Sequence, residues 1–433
     1  MEINTAIVAG TGKSGISATK LLVNHGVKVY LFDENKDRDI EAIKEKTGDS
    51  ELVQIELGEL GEDALSSSQL MVISPGIPVD APFTDVVRNA GIPIWSEIEL
   101  AYHYGKGKIA AITGTNGKTT TTALVGEIVK AHNAKTIVVG NIGIPYTELC
   151  DTTDDDSDTV AEISSFQLET VIDFHPNVSA ILNLTPDHLN RHYTFENYGN
   201  VKFSITKNQT MDDVTVLNYD DEHTRAMGEK AKDHCHVVYF SRLEKPAGGV
   251  YVKDGDIILE DGDKKINVLA IKDLKLMGAH NVENVLAAVG ISYYMGVPVD
   301  VIRDVATSFK AVAHRIEYVD TIDGVAYYND SKGTNPDAAI KGIQAMVAPT
   351  FLIGGGYDKG SEYDEWIEAF DGKVKWLVLI GQTAQKIADC AKRHGFNSII
   401  FEENLQDAVA YCHENAVDGD AVLLSPACAS WGQ

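Results

Sequence analysis

The chain has 433 residues and a formal net charge of −27, with 64 acidic against 37 basic side chains. Its length predicts two to four domains, and its apolar content of 44% is ordinary for a globular protein. The negative charge repels nucleic acid and anionic membranes, so we expect neither as a partner. The sequence contains no signal peptide, no apolar run of membrane-spanning length and no CxxC pair among its five cysteines, which predicts a cytoplasmic protein with free thiols. We also expect a monomer, although these features do not determine the oligomeric state.

The N-terminal pattern is a strand, a glycine-rich turn and a helix. The turn is Gly10-Thr11-Gly12-Lys13-Ser14-Gly15, and a second strand ends at Asp33. Taken alone, a GxGxxG turn with an acid about 20 residues further on predicts NAD binding. Another strand ends at Ser74-Pro75-Gly76, where ligands of such sheets bind. We predict a Rossmann-like nucleotide-binding domain over residues 1–96.

The central motif is Thr113-Gly114-Thr115-Asn116-Gly117-Lys118-Thr119-Thr120, which follows an apolar strand and precedes a helical pattern. Backbone N–H groups in such a turn, together with the helix N-terminus, attract phosphate. Lys118 then neutralises the β- and γ-phosphates, and the hydroxyl of Thr119 holds Mg²⁺. The alternative, a turn that only packs a helix onto a sheet, leaves Lys118 unexplained.

Polar residues follow neighbouring strands of this second domain. Asn141, Glu162 and His188 each come just after an apolar run of strand length. Because the carboxyl ends of parallel strands share one sheet edge, we expect these side chains to converge beside the phosphate turn. Taken singly, Glu162 is equally well a helix cap and His188 a surface histidine.

Strands alternate with helices again after residue 311, which predicts a third doubly wound unit. The predicted fold class is therefore α/β with three domains. Residues 1–96 form a Rossmann-like N-terminal domain, residues 97–311 a P-loop-type central domain with a parallel sheet, and residues 312–433 a Rossmann-like C-terminal domain.

Seven motifs together resemble the Mur ligase family, and the D-glutamate-adding members are the most similar. The motifs lie in order at residues 113–119, 162–167, 183–188, 278–284, 314–315, 329–335 and 425–430. The resemblance implies an ATP-dependent ligase that joins D-glutamate to UDP-N-acetylmuramoyl-L-alanine through an acyl phosphate and releases ADP and phosphate. It places the reaction in cytoplasmic peptidoglycan precursor synthesis, and hence in cell-wall biogenesis, cell shape and cell division.

The same resemblance implies roles for individual residues. The implied catalytic residues are Lys118, Asn141, Glu162, His188 and Lys202. Two Mg²⁺ sites are implied, with Thr119, Glu162, His188 and a CO₂-carbamylated Lys202 around them. The implied ATP contacts are Gly114, Thr115, Asn116, Gly117, Lys118, Thr119, Thr120, Asn284, Arg315 and Asp330. The implied UDP-substrate contacts are Gly12, Ser14, Asn35, Ser74, Gly76 and Asn141, and the implied D-glutamate contacts are Lys332, Thr334, Lys359 and Ser430.

The chain departs from the family pattern at its C-terminal end. The family continues past Gln433 with a helix that helps to cover D-glutamate, so we expect a truncated third domain, intact ATP and UDP-substrate sites and impaired full turnover. Three alternatives remain open from the sequence. They are another Mur ligase or a folylpolyglutamate synthase-like ligase, a dinucleotide-dependent oxidoreductase, and a nucleotide-gated binding protein without catalysis.

Overall fold

The computed structural model describes residues 3–276, 278–310, 312, 314–358 and 360–429. It separates into two compact units. The first comprises residues 1–270 and 285–306, and the second comprises residues 271–284 and 307–433. Among the described helices, none is both long and apolar enough to cross a bilayer.

The first unit begins with a five-stranded parallel sheet in the order β3-β2-β1-β4-β5. After β1 the next two strands, β2 and β3, are added on one side of β1, whereas β4 and β5 lie on its other side. This reversal of strand order creates a crevice at the carboxyl ends of β1 and β4. The elements are β1 (Thr5–Ala9), α1 (Lys13–Asn24), β2 (Lys28–Asp33), α2 (Ile40–Thr47), β3 (Val53–Leu57), α3 (Glu62–Ser67), β4 (Leu70–Ile73), α4 (Pro82–Asn89), β5 (Ile94–Ser96) and α5 (Glu97–Tyr104).

A nine-stranded sheet follows in the order β14-β13-β12-β11-β10-β9-β6-β8-β7. Its strands are β6 (Lys108–Thr113), β7 (Ile137–Gly140), β8 (Asp158–Glu162), β9 (Val178–Ile181), β10 (Val214–Asn218), β11 (His236–Ser241), β12 (Gly249–Lys253), β13 (Asp256–Asp261) and β14 (Lys264–Ala270). Its helices are α6 (Lys118–His132), α7 (Tyr146–Leu149), α8 (Ser165–Leu168), α9 (Leu189–His192), α10 (Phe195–Phe203) and α11 (Glu222–Ala231), with α12 (Ala279–Tyr294) and α13 (Val299–Ser308) each crossing the boundary between the units.

The second unit contains a six-stranded sheet in the order β15-β16-β20-β17-β18-β19, parallel except for the hairpin between β15 and β16. Its elements are β15 (Glu317–Ile322), β16 (Val325–Asn329), α14 (Pro336–Ala345), β17 (Thr350–Gly354), α15 (Asp364–Glu368), β18 (Val374–Leu379), α16 (Ala384–Arg393), β19 (Ile399–Phe401), α17 (Leu405–Asn415) and β20 (Ala421–Leu424).

The predicted α/β fold class is confirmed, and one part of the central sheet was not anticipated. Strands β12, β13 and β14 pair antiparallel, so the central sheet is mixed rather than wholly parallel. The signal for the first hairpin is Asp254-Gly255, where both residues have positive φ (52° and 85°). Such a pair suits the tight turns whose twist matches that of paired strands.

Candidate active site

The carboxyl ends of four central strands meet at one edge of the sheet. Ile112 on β6 lies opposite Glu162 on β8, and Gly140 on β7 lies opposite Glu162 from the other side. Strand β9 pairs with β6 as far as Thr113 and Ile181. The predicted convergence of strand ends is therefore present, and the phosphate turn, the Asn141 loop and Glu162 share this edge.

The phosphate turn is a close passage between β6 and α6. Gly114 has a φ of 148°, and a side chain there would bring its Cβ 3.0 Å from the Cβ of Leu182. Lys118, Thr119 and Thr120 form the first turn of α6. The ammonium group of Lys118 donates hydrogen bonds to the carbonyl oxygens of Gly114 and Thr115, both at 2.8 Å. The lysine is therefore folded over the turn that it follows in sequence.

A second loop holds the phosphate turn in place. The backbone N–H of Asn116 donates to Oδ1 of Asn183 at 2.8 Å, and Nδ2 of Asn183 donates to the carbonyl of Asn116 at 3.0 Å. The hydroxyl of Thr115 bonds to Thr185 and Tyr198, each at 3.1 Å. Sequence analysis did not assign roles to Asn183 and Tyr198. Asn183 had a signal, because it follows directly on a strand pattern at the same sheet edge.

Lys202 reaches the phosphate turn from helix α10. Its side chain is buried, and its Nζ donates to the carbonyl of Gly114 at 2.9 Å and lies 4.7 Å from the ring centroid of Tyr198. Burial, reinforced by the charge of Lys118, holds the pKa of Lys202 well below its usual value, although Asp187 and Glu162 act in the opposite direction. A buried amine in this position is neutral far more readily than an exposed lysine.

Glu162 is a buried carboxylate with one free oxygen atom. Oε1 accepts a hydrogen bond from Nδ2 of Asn141 at 2.7 Å, and Oε2 has no hydrogen-bond partner although it is buried. An unpartnered buried carboxylate oxygen is costly unless a cation or donor approaches it. Together with the hydroxyl of Thr119, this oxygen fits the all-oxygen ligand set of Mg²⁺.

His188 is the N-cap residue of the short helix α9, and His192 is the last residue of that helix. His188 adopts a left-handed conformation (φ 54°) and its ring packs edge-on against Phe166. His192 is buried, and its Nε2 lies 3.0 Å from the hydroxyl of Ser165. Burial, with the charges of His188, Arg191 and Lys202, lowers the pKa of His192 to about 4. Sequence analysis overlooked His192, since its burial depends on packing from distant segments.

Arg191, between these histidines, connects helix α9 to the N-terminal domain. Its guanidinium pairs with Glu169, lies 4.7 Å from the ring centroid of Phe166 and donates to the carbonyl of Ile77 at 2.8 Å. Ile77 directly follows the Ser74-Pro75-Gly76 segment. Arg191 therefore joins the loop that carries His188 to the loop that carries the predicted UDP contacts.

The N-terminal turn places Gly12 and Ser14 at the start of α1. Gly10 has a φ of 103°, and a Cβ there would lie 2.6 Å from the hydroxyl of Ser74. That hydroxyl is buried and has no hydrogen-bond partner. Asn35 is exposed beyond β2, and Gly76 has open space around it. These residues line the carboxyl edge of the first sheet, as expected of a ligand crevice.

Asp33 is already engaged by the protein. Its carboxylate accepts hydrogen bonds from the hydroxyl and N–H of Thr11 at 2.6 and 3.1 Å, from the N–H of Asn35 at 3.0 Å and from Nε of Arg38 at 3.2 Å. Partial burial raises the pKa of Asp33, and the hydrogen bonds from Thr11 and Asn35 outweigh it and leave the pKa lowered. The acid that would bind an NAD ribose is thus occupied within its own turn.

The second unit holds the remaining predicted site residues. Asp330 is buried and accepts a hydrogen bond from the hydroxyl of Ser425 at 2.7 Å. Burial raises its pKa to about 6, while Ser425 and the charge of Arg315 act against this. Lys332 is exposed and Thr334 is half-buried in the following loop, and Asn284 donates to Oδ1 of Asn281 on α12 at 3.0 Å. Lys359 and Ser430 lie outside the described residues.

Three family models match the chain in sequence order. The Mur ligase MurD-like N-terminal domain matches residues 4–96, the Mur ligase middle domain residues 112–292, and the Mur ligase glutamate ligase domain residues 314–428. Curated relatives named UDP-N-acetylmuramoylalanine--D-glutamate ligase match along the whole length. The protein from Lachnospira eligens is 56% identical over 433 residues (100% of this chain, 95% of the relative), and that from Clostridioides difficile is 47% identical over 429 residues (98% and 94%).

Solved structures share the fold at low sequence identity. UDP-N-acetylmuramate-alanine ligase MurC from Thermotoga maritima superposes with a TM-score of 0.62 at 19% identity, covering 99% of this chain and 96% of that one. MurF ligase from Thermotoga maritima in complex with ADP superposes with a TM-score of 0.59 at 16% identity, covering 97% and 90%.

A Rossmann-type sheet, a central sheet with a phosphate turn and a third α/β domain, matched in order by three Mur ligase family models, indicate a three-domain amide-forming ligase. The matching family models and the relatives at 47–56% identity make the assignment specific. This chain belongs to the Mur ligase family, and the predicted resemblance to its D-glutamate-adding members is confirmed.

Proposed function

We propose that this chain is an ATP-dependent, ADP-forming ligase that adds D-glutamate to UDP-N-acetylmuramoyl-L-alanine. The observation that carries the proposal is the 56% identity over all 433 residues to a relative named for that reaction. We propose that it acts as a cytoplasmic monomer within peptidoglycan precursor synthesis, with domains at 1–96, 97–311 and 312–433.

The proposed reaction has two steps. In the first step, a carboxylate oxygen of the substrate attacks the γ-phosphorus of ATP, and the bond between the γ-phosphorus and the oxygen that bridges it to the β-phosphate breaks. The products of this step are ADP and an acyl phosphate. The amine of D-glutamate then attacks the acyl carbon, the carbon–oxygen bond to phosphate breaks, and an amide, phosphate and a proton result. Such chemistry depends chiefly on positioning and charge neutralisation. The phosphate turn of residues 114–120 and Lys118 are placed to supply both for the nucleotide.

Mg²⁺ would neutralise charge on the phosphates. Thr119 and Glu162 are the proposed ligands at one site, which is supported by the unpartnered Oε2 of Glu162. His188, on the neighbouring loop, is the proposed ligand at a second. Asn141 supports Glu162 through its hydrogen bond of 2.7 Å to Oε1 and is proposed to contact the sugar-linked substrate.

Lys202 is proposed to carry a carbamate. Carbamylation needs a neutral amine, because the nitrogen lone pair attacks the carbon of CO₂ and an N-bound proton is released. The lowered pKa of this buried lysine favours that state. The product is an anion, which would place a negative charge near the ammonium group of Lys118.

The remaining roles follow the family pattern. The proposed UDP contacts are Gly12, Ser14, Asn35, Ser74 and Gly76, and the buried, unpartnered hydroxyl of Ser74 supports a polar ligand there. Asn284, Arg315 and Asp330 are proposed as ATP contacts. Lys332, Thr334, Lys359 and Ser430 are proposed as D-glutamate contacts.

The test is phosphate release in the presence of ATP, Mg²⁺ and UDP-N-acetylmuramoyl-L-alanine, with D-glutamate compared against L-lysine, D-alanyl-D-alanine and L-alanine. We expect release with D-glutamate alone. Release with another amine would assign a different Mur ligase reaction, and no release with any amine would favour a binding protein. Calorimetric titration with NADH and with UDP addresses the oxidoreductase alternative. The engagement of Asp33 by Thr11 argues against binding of NADH, and the proposed function predicts binding of UDP.

A further inference from the structure

The second unit contains a cluster of three metal-ligating side chains distant in sequence from the proposed catalytic residues. Asp364, Cys390 and His394 each offer one ligand atom, and these atoms all lie within 4.8 Å of one another. Cys390 lies in the last turn of α16, and His394, four positions further on, is the C-cap residue of that helix, so the two side chains are neighbours. Asp364 is the first residue of α15, which packs beside α16.

We propose that Asp364, Cys390 and His394 bind a Zn²⁺ ion that ties α15 to α16. A sulfur, a nitrogen and a carboxylate oxygen are the donor types that zinc accepts. In a tetrahedral site, zinc–ligand bonds of about 2.0–2.3 Å separate the ligand atoms by roughly 3.3–3.6 Å. Side-chain rotations that move the ligand atoms by about an ångström therefore suffice to convert this cluster into a zinc site. The thiol proton of Cys390 passes to solvent when the metal binds.

The surroundings of His394 suit a metal ligand. Its Nε2 is hydrogen-bonded to Oδ1 of Asp364 at 2.8 Å, a side-chain contact that the metal would replace, and its Nδ1 lies 3.7 Å from Oε1 of Glu368. Zinc-bound histidines commonly have a carboxylate at the second ring nitrogen, which fixes the ring and raises its basicity. Arg393 approaches Asp364 at 3.5 Å, and its side chain is 60% exposed, so it can move aside without disturbing the core.

A similar cluster in the first unit lacks this capacity. Glu99, His103 and Asp173 also lie close together. However, both carboxylate oxygens of Glu99 already accept backbone hydrogen bonds, from Ile172, Asp173 and Phe174 at 2.7–3.0 Å. A metal there would have to displace these bonds. By contrast, among the described residues no backbone N–H donates a hydrogen bond to the carboxylate of Asp364, whose hydrogen bonds come from the side chains of Arg393 and His394.

The proposed zinc would also stabilise the positions of the two residues that contact Cys428. Helix α15 begins after Tyr363 and α16 begins after Thr383. The hydroxyls of both residues lie 3.2 Å from the sulfur of Cys428. Cys428 belongs to the segment 425–430 that carries family resemblance, so a metal between the helices would brace the residues that position this segment.

The experiment is a Co²⁺ titration of the full chain after chelator treatment, with Mg²⁺ present to fill oxygen-rich sites. We expect one Co²⁺ per chain with a thiolate-to-cobalt charge-transfer band, and displacement of that band by Zn²⁺. Cys390→Ser should abolish the band, and His394→Ala should weaken Co²⁺ binding roughly 10-fold or more. Cys412→Ser, which replaces another buried cysteine of this unit, should retain it.

Thermal unfolding supplies an independent readout. Zn²⁺ should raise the Tm of the wild type and of Cys412→Ser, and should not raise that of Asp364→Asn. The side chain of Asp364 is only half-buried, at 45% exposed, so Asp364→Asn is expected to fold. Absence of a thiolate band in the wild type would overturn the proposal, as would a band that persists in Cys390→Ser. If Cys390→Ser does not fold, a full-strength band in Asp364→Asn and His394→Ala would overturn it equally.

Discussion

Lys118 and Lys202 donate hydrogen bonds to the same carbonyl oxygen, that of Gly114, at 2.8 and 2.9 Å. The two residues are 84 positions apart in sequence, and two like charges at one acceptor repel each other. Burial, together with the charge of Lys118, holds the pKa of Lys202 well below its usual value. The proposed carbamate would place an anion near the ammonium group of Lys118, and the first two predictions test this pair of lysines.

Replacing Lys202 by methionine should stabilise the protein and remove its activity. Methionine keeps the length and apolar stem of the side chain and removes an amine that is costly to bury. We expect a higher Tm at pH 7 by differential scanning calorimetry and almost no ligase turnover. Lys207→Met, an exposed lysine in the next turn, should change neither. Partial rescue of Lys202→Ala by a small carboxylic acid should accompany this, and lack of rescue would count against the carbamate alone.

Lys118→Ala should lower turnover by roughly 10²–10³-fold, the usual effect of removing one preorganised electrostatic group. The reason is that Lys118 lies over the phosphate turn, where it would meet the transferring phosphoryl group. Steady-state phosphate release measures the effect, and Lys130→Ala, an exposed lysine on the same helix, is the control. A near-normal rate in Lys118→Ala would contradict the assignment of the phosphate turn.

Glu162→Gln should raise the Mg²⁺ concentration needed for half-maximal activity by roughly 10-fold or more. Glutamine keeps the size and one oxygen, and it removes the charge from the buried atom that has no protein partner. The measurement is turnover against Mg²⁺ at saturating ATP. Glu127→Gln, exposed on α6, should leave the Mg²⁺ dependence unchanged. An unchanged dependence in Glu162→Gln would mean that Oε2 does not face the metal.

Arg191→Met should raise the KM for the UDP-linked substrate more than the KM for ATP. The substitution keeps packing on Phe166 and removes the hydrogen bond to Ile77, which anchors the loop after Gly76.

Arg191→Met also leaves the carboxylate of Glu169, 7% exposed, without its cation, which should cost on the order of 3 kcal/mol of stability. Arg191→Met combined with Glu169→Gln should recover much of the stability but not the KM. Equal changes in both KM values would contradict the proposed coupling of the two loops.

Asp330→Asn should change how stability depends on pH. The native carboxyl group keeps its proton up to about pH 6, whereas in the unfolded chain it loses it near pH 4. Between these values the native state binds more protons, so the contribution of Asp330 to stability falls as pH rises. The Tm of Asp330→Asn relative to wild type should therefore increase from pH 4.5 to pH 7, by an amount that corresponds to on the order of 2 kcal/mol. Asp320→Asn, an exposed carboxylate, should show no such trend.

The sequence alone was sufficient for the fold class, the family and the alignment of Lys118, Asn141 and Glu162 at one sheet edge. These follow from local patterns, since apolar runs mark strands and parallel strands bring their carboxyl ends together. The antiparallel pairing of β12, β13 and β14 was not predicted, because the turn signal at Asp254-Gly255 between β12 and β13 was not used.

Only the tertiary structure decided which polar groups are already satisfied and which are not. Four such features arise between segments far apart in the chain. They are the burial of Lys202, the hydrogen bonds from Asn183 to the phosphate turn, the unpartnered oxygen of Glu162 and the hydrogen bonds from Thr11 to Asp33. Hydrogen bonds and desolvation depend on three-dimensional neighbours, so a residue type at a given position does not specify them. For that reason the GxGxxG turn pointed to NAD in the sequence, whereas in the folded protein its acid is no longer available.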